Sequence, residues 1–260
     1  MAAPRISLPP CLGRFPAILG SVFLLALPLR SAEVPVIVID PGHGGNAVAG
    51  SLAERSNSSP NNARSPGGLL EKDLTLELSL LLRDAIVALA TERGLALGVL
   101  LTREDDRNLD FAARAALCHR PDTAAIVSIH FNASPGGRSM GSLALVAARD
   151  RNPNYEVDEA FGRELAEACS EAVRRYLPES RSLGVITDGH LHGGRGSNFF
   201  FQLNRHPALR EVPKCFLEVE FMDHPEVERA LLSEGREERF RTIAAALAET
   251  LVGRFGREGG

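Results

Sequence analysis

The chain has no tryptophan and only two tyrosines in 260 residues, with aromatics at 5% of the total. Platforms that stack sugars or nucleobases depend on such rings, so the composition argues against a binding module of that kind. A formal net charge of −4 provides no basic field for a nucleic-acid partner. Cysteine is sparse. Of Cys11, Cys118, Cys169 and Cys215, the last three lie beyond residue 32, and their odd number and wide spacing form neither a CxxC knuckle nor a disulfide framework. Cys169 lies in a helical pattern and Cys215 in a strand, and with Cys118 they read as small buried hydrophobes. No internal repeat is visible. What is present, 44% hydrophobic and 24% charged residues, is the composition of an ordinary soluble domain with a proper core.

Residues 1–32 read as an addition to that domain. Arg5 and Arg14 precede the apolar run 15–29, and Ser31 and Ala32 supply small residues for cleavage. This is the order of a secretory signal peptide. The run is short for a membrane span and contains prolines. Arg30 fits a cleavage site poorly, which leaves an uncleaved anchor as the alternative. Export places the mature chain, from about Glu33, in the periplasm or at the cell wall, with no membrane partner of its own.

The domain is organised around Val36-Ile37-Val38-Ile39-Asp40-Pro41-Gly42-His43-Gly44-Gly45. Four β-branched residues predict a strand buried on both faces. Asp-Pro ends it, and the glycine turn presents His43 at the strand's carboxyl end, the edge where open α/β sheets gather ligands. Residues 46–68 are polar, rich in Ser, Asn, Pro and Gly, and predict a mobile loop beside His43. Leu74, Leu78, Leu81, Leu82, Ile86 and Leu89 then recur at helical spacing, with Glu71 in the first turn and Gly94 at the end.

Residues 95–102 predict a second strand, 110–119 a short helix, and 124–129 a third strand that ends in His130. Residues 141–147 predict a fourth strand and 157–176 a helix. Residues 183–197 read as irregular, a glycine-rich surface loop with His190, His192 and Arg195, whose alternative place is the cleft wall. Phe199-Phe200-Phe201-Gln202-Leu203 predicts a strand and 214–221 another. Asp223 to Glu226 start a helix, and 237–255 form the last one. Strands alternating with helices predict a three-layer α/β/α domain on a central, mostly parallel twisted sheet.

His43, Glu71 and His130 together offer two imidazoles and a carboxylate around an open position, the ligand set of a catalytic zinc site. Such a site needs a further carboxylate to take the proton of the attacking water. Glu218 and Glu220 sit in an apolar strand and, with period-two alternation, share a face. By strand geometry either can serve.

These residues also carry a resemblance. From Val36 to about Leu251 the chain resembles the zinc-dependent N-acetylmuramoyl-L-alanine amidases of bacterial cell-wall turnover. The matching stretches are Ile39 to Gly45, Leu70-Glu71-Lys72-Asp73-Leu74, Leu101-Thr102-Arg103 with Asp106, Ala113-Arg114, Ser128-Ile129-His130-Phe131-Asn132-Ala133, and Val212-Pro213 through Glu218 with Phe221 and Pro225-Glu226. The resemblance implies zinc on His43, Glu71 and His130, and catalysis by Glu218. It implies Asp40 and Asn132 as supports of the histidines. Glu220 stands where the family has glycine, and His224 where it has asparagine. That leaves Glu220 as a fourth ligand, a rim residue or a solvated carboxylate. The implied reaction is hydrolysis of the amide joining the muramic acid lactyl group to L-alanine in peptidoglycan. The alternatives are an inactive peptidoglycan-binding module on the same fold, or a zinc amidase for another amide. In this reading residues 33–255 are the catalytic domain, with 46–68 inserted and longer than the family's loop. Residues 256–260 are a tail. Protein regulators are not legible.

Overall fold

Strand β1 (Val36–Pro41) is buried along its whole length. Val36 and Val38 enter one apolar cluster and Ile37 and Ile39 another, as expected of a strand covered on both faces. The structure, a computed structural model, describes residues 33–45, 59 and 61–258, without the side chains at 190 and 192. The predicted signal segment 1–32 and residues 46–58 and 60 of the predicted loop lie outside the described residues. Among the described residues no helix is long and apolar enough to cross a membrane.

The remaining elements follow as α1 (Glu71–Glu92), β2 (Leu95–Ala96), β3 (Gly98–Leu101), α2 (Phe111–Cys118), β4 (Thr123–Asn132) and β5 (Ser142–Val146). Then come α3 (Tyr155–Val173), β6 (Ser182–Thr187), α4 (Asn198–Arg205), β7 (Lys214–Phe221), α5 (Pro225–Val227), α6 (Arg236–Phe255) and β8 (Arg257–Glu258). Six strands form one sheet in the order β3-β1-β4-β7-β5-β6. The run β3-β1-β4-β7 is parallel, β5 pairs antiparallel with β7, and β6 runs parallel to β5. Helices α1, α3 and α6 cover the face that carries Ile37, Val127 and Leu217. Helices α2 and α4 cover the face of Val38, Ile126 and Phe216. The expected three layers are present. Cys118, Cys169 and Cys215 are buried free thiols.

Four local expectations change. Phe199 to Leu203 form helix α4, not a strand. Ser197 caps it by accepting from the Phe199 N–H at 3.2 Å, and burial falls on Phe199, Phe200 and Leu203 while Phe201 is 58% exposed. That is a helical face; three consecutive phenylalanines imitate a strand only through their β propensity. Residues 95–102 are two strands, since Leu95–Ala96 leave the main sheet to pair with Arg257–Glu258. The expected tail therefore contains a paired strand. The first part of the segment read as irregular is edge strand β6, whose Leu183 and Ile186 are exposed and so gave no buried apolar pattern.

Candidate metal centre

Parallel packing brings the carboxyl ends of β1, β4 and β7 side by side. β1 stops at Pro41, and the next turn is held by its carbonyls. Arg103 donates to Pro41 O (3.0 Å) and Gly42 O (2.9 Å), and Thr75 Oγ1 donates to Gly42 O (2.7 Å). Arg114 donates to Pro41 O and His43 O, and Lys72 Nζ to Gly45 O. This clamp holds His43 at φ +63°, a left-handed conformation costly for a residue with a Cβ and kept only where the surroundings enforce it. Gly42 is required for a different reason. A Cβ there would come within 2.5 Å of the His130 ring.

Each histidine has one nitrogen fixed by a partner. His43 Nδ1 lies 2.8 Å from the Ser59 carbonyl oxygen, which can only accept, so Nδ1 carries the hydrogen and Nε2 the lone pair. His130 Nε2 lies 3.1 Å from Ser128 Oγ, whose own hydrogen goes to Asp40 Oδ2 at 2.6 Å. His130 Nε2 therefore donates, and Nδ1 keeps its lone pair. Burial also holds His130 below the ordinary imidazole range, against the pull of Glu71, which favours the neutral ligand form.

Both lone pairs point at Glu71. Its Oε1 is 3.0 Å from His43 Nε2 and 3.1 Å from His130 Nδ1. Glu71 opens α1 and is fixed by N–H donors from Ala63 (2.9 Å, to Oε2) and Phe131 (3.2 Å, to Oε1). Burial alone would raise its carboxyl; positive charge on the facing His43 and His130 outweighs this and holds it well below the usual carboxylate range, and where both imidazoles are neutral a cation between them has to supply that charge. One ligand atom from each of the three residues lies within 4.8 Å of the others. His43 Nε2 is buried without a hydrogen-bond partner. Three acceptor atoms facing one another in a buried site repel unless a cation lies between them, so the donor set fits a metal ion.

Glu218 is the residue of β7 that pairs with His130. Its Oε2 is buried and has no hydrogen-bond partner. Burial, with the Glu71 charge adding to it, pushes its carboxyl up to about 8.

The other expected residues divide. Asp40 acts on His130 through Ser128, and also accepts from Thr102 and Arg114. Burial would raise it, but Arg114 and the two hydroxyls bring it below its usual value. The Asn132 carboxamide oxygen instead takes the Ala133 N–H at 2.8 Å. Glu220 is wholly buried, bound by Gly141 N–H, Phe221 N–H and Ser180 Oγ, so it is neither solvated nor on a rim. The shared face expected for Glu218 and Glu220 is broken by a register shift: His130 pairs with Glu218 but Asn132 pairs with Phe221, one residue further than alternation allows. The glycine-rich turn after β6 follows a strand antiparallel to β7, so its backbone lies at the sheet end opposite His130.

Ser59, Thr75, Ser128 and Phe216 were not singled out from the sequence. Phe216 stacks on the His130 ring, centroids 5.0 Å apart, and Phe200 stacks on Phe216 at 4.3 Å. Ser128 and Phe216 had a usable signal, since Ser128 lies two residues before His130 and Phe216 two before Glu218 on strands that end at the site. Ser59 had none.

The chain shares sequence with known proteins along nearly its whole described length. It is 28% identical over 242 residues to the N-acetylmuramoyl-L-alanine amidase AmiC of Neisseria meningitidis serogroup B, covering 84% of this chain and 53% of that protein. It is 31% identical over 142 residues to the germination-specific N-acetylmuramoyl-L-alanine amidase of Bacillus subtilis, covering 48% and 52%. The chain thus spans about half the length of the curated relatives it matches. In fold it is similar to the amidase Ami1 of Mycobacterium smegmatis, with TM-score 0.59, 19% identity and coverage of 84% and 95%. Residues 37–250 match the Amidase_3 family, N-acetylmuramoyl-L-alanine amidase. That stretch holds nearly all of the sheet and the three converging residues His43, Glu71 and His130, and the chain belongs to this family.

Proposed function

We propose that the protein hydrolyses the amide between the lactyl group of N-acetylmuramic acid and the L-alanine of the peptidoglycan stem peptide, with zinc held by His43, Glu71 and His130. The observation that carries this is the convergence of three lone-pair atoms beside an unpartnered carboxylate oxygen on Glu218. Two imidazoles and a carboxylate suit zinc and leave a coordination position open. When bound, the ion supplies Lewis-acid polarisation of a carbonyl and acidifies water. His43 and His130 present neutral nitrogens to it, their orientation set by Ser59 and by Ser128 with Asp40.

Glu218 takes the proton of the attacking water on its free Oε2 and returns it to the departing alanine nitrogen. A carboxylate with no competing hydrogen-bond donor can do both, because nothing else claims its lone pair. We further assign residues 1–32 to export, with the mature enzyme working in the periplasm or at the cell wall. The family match and the ordinary negative charge of the chain support peptidoglycan over nucleic acid as partner.

The test is digestion of purified peptidoglycan by the zinc-loaded chain, with and without chelator, and mass analysis of the products. Stem peptides with a free L-alanine amino group are expected, lost on chelation and restored by zinc. Release that ignores the chelator refutes the metal mechanism, and absence of release by zinc-replete protein refutes the activity.

A further inference from the structure

Glu220 has no place in the mechanism above, yet it is among the most thoroughly enclosed acids in the described chain. It has no exposed surface, and its carboxylate is satisfied by neutral donors: Gly141 N–H at 2.7 Å and Phe221 N–H at 2.8 Å on Oε2, and Ser180 Oγ on Oε1. A buried acid kept without a cation needs such complete hydrogen bonding to be tolerated at all. These donors come from three separate places: the start of β5, the turn before β6, and β7 itself.

The enclosure coincides with the irregularity in β7. Glu218 pairs with His130 on one side and Leu143 on the other, whereas Phe221 pairs with Asn132. Two steps along β4 therefore match three along β7, and Val219 with Glu220 absorb the excess. The Val219 carbonyl is held by Ser142 Oγ at 2.8 Å, and Met222 N–H rejoins Asn132 O at 2.9 Å. A bulge bends its strand and re-aims the side chains beside it. The Glu220 carboxylate bonds the N–H that follows it, fixing the bend from within.

We propose that Glu220 is a positioning residue: by tying the β7 bulge to Gly141 and Ser180 it sets the direction in which Glu218 enters the metal site, without binding metal itself. Its kinetic readout rests on the proposed amide hydrolysis; its structural readout does not.

The test compares Glu220→Gln, Glu220→Ala and Ser180→Ala in the zinc-loaded chain, by zinc content, crystal structure, and kcat and KM on a muramoyl-peptide. Glutamine can keep both N–H contacts on its oxygen and turn its amide to Ser180 Oγ, which can accept. It should hold kcat within about 3-fold. Glu220→Ala should retain zinc and KM but lose kcat by about 10–100-fold, with the Glu218 carboxylate displaced by about 1 Å. Ser180→Ala, which removes one contact, should lose about 3–10-fold and decides the matter if the alanine variant at 220 does not fold. A folded variant with Glu218 unmoved and kcat intact overturns the proposal, as does loss of zinc from Glu220→Gln, which would make Glu220 a ligand. If the wild-type chain fails to hydrolyse the substrate, the proposed function fails, and the position of Glu218 in the variant crystals still decides the role of Glu220.

Discussion

Glu71 and Glu218 lie at the same end of the same sheet, around the same histidine, and are in opposite electrostatic states. Burial penalises the charge of both. Burial would raise the Glu71 carboxyl, but positive charge at the facing His43 and His130, or at a cation between them, holds it ionised, and two backbone N–H groups bind it. Glu218 has a free, buried oxygen and the Glu71 charge for a neighbour, so its carboxyl rises to about 8. The difference is made by neighbours and not by depth. On the proposed function it divides the work: the acid kept ionised would serve as ligand, and the acid whose carboxyl lies near neutral pH would take up and return a proton.

The comparison breaks most visibly if the ligand side is removed. His130→Ala should leave the chain with close to no zinc after exchange into metal-free buffer, and with peptide release at background. Metal analysis and the digestion assay report both. Glu218→Gln sharpens it from the other side: zinc should stay at one per chain while kcat falls by about 10²–10⁴-fold. If Glu218→Gln loses its zinc as His130→Ala does, the two acids share one role and the division is wrong.

A smaller effect is expected from the support of the ligand side. Ser128→Ala removes the acceptor that keeps the hydrogen on His130 Nε2 and leaves Asp40 without one of its donors. Zinc affinity should fall by about 10–100-fold, measured by chelator competition, with zinc-saturated kcat changed far less. Unchanged affinity would mean that Phe216 stacking alone orients the ring.

The ligand side was legible in the sequence and the acid side only in part. β1, α1 and β4 announce themselves by long runs of one periodicity, and each ligand sits where such a run starts or stops. His43, Glu71 and His130 could therefore be placed without knowing which strands are neighbours. Glu218 and Glu220 could not be told apart by alternation, because the bulge that separates them depends on pairing with β4 and β5, both distant in sequence. The buried state of Glu220 likewise requires Ser180 and Gly141, which no local pattern links to it. Helix α4 was misread for a related reason: its apolar run is too short to show a period, and its face is chosen by Phe216 across the layer.

The finest test of the comparison asks whether Glu218 carries the burial penalty assigned to it, and uses the metal-free chain. Its folded carboxyl lies at about 8, against an ordinary 4.5 that applies once the chain unfolds. Below the lower value both states hold the proton, and no difference in stability arises. Between the two values the unfolded chain gives up the proton while the folded chain keeps it, so the unfolded state gains and stability falls as pH rises. Above the upper value the loss is complete. Glutamine has no proton to release and follows no such course. Glu218→Gln should therefore unfold at a Tm close to wild type near pH 4 and at a higher one near pH 8. Water reaching this partly exposed residue reduces the gain to roughly 1–2 kcal/mol, or about 3–6 °C. Scanning both proteins at each pH cancels the titration of the groups that do not interact with Glu218. A Tm difference that does not grow between pH 4 and pH 8 would show that Glu218 ionises freely in the folded chain, and the contrast with Glu71 would disappear.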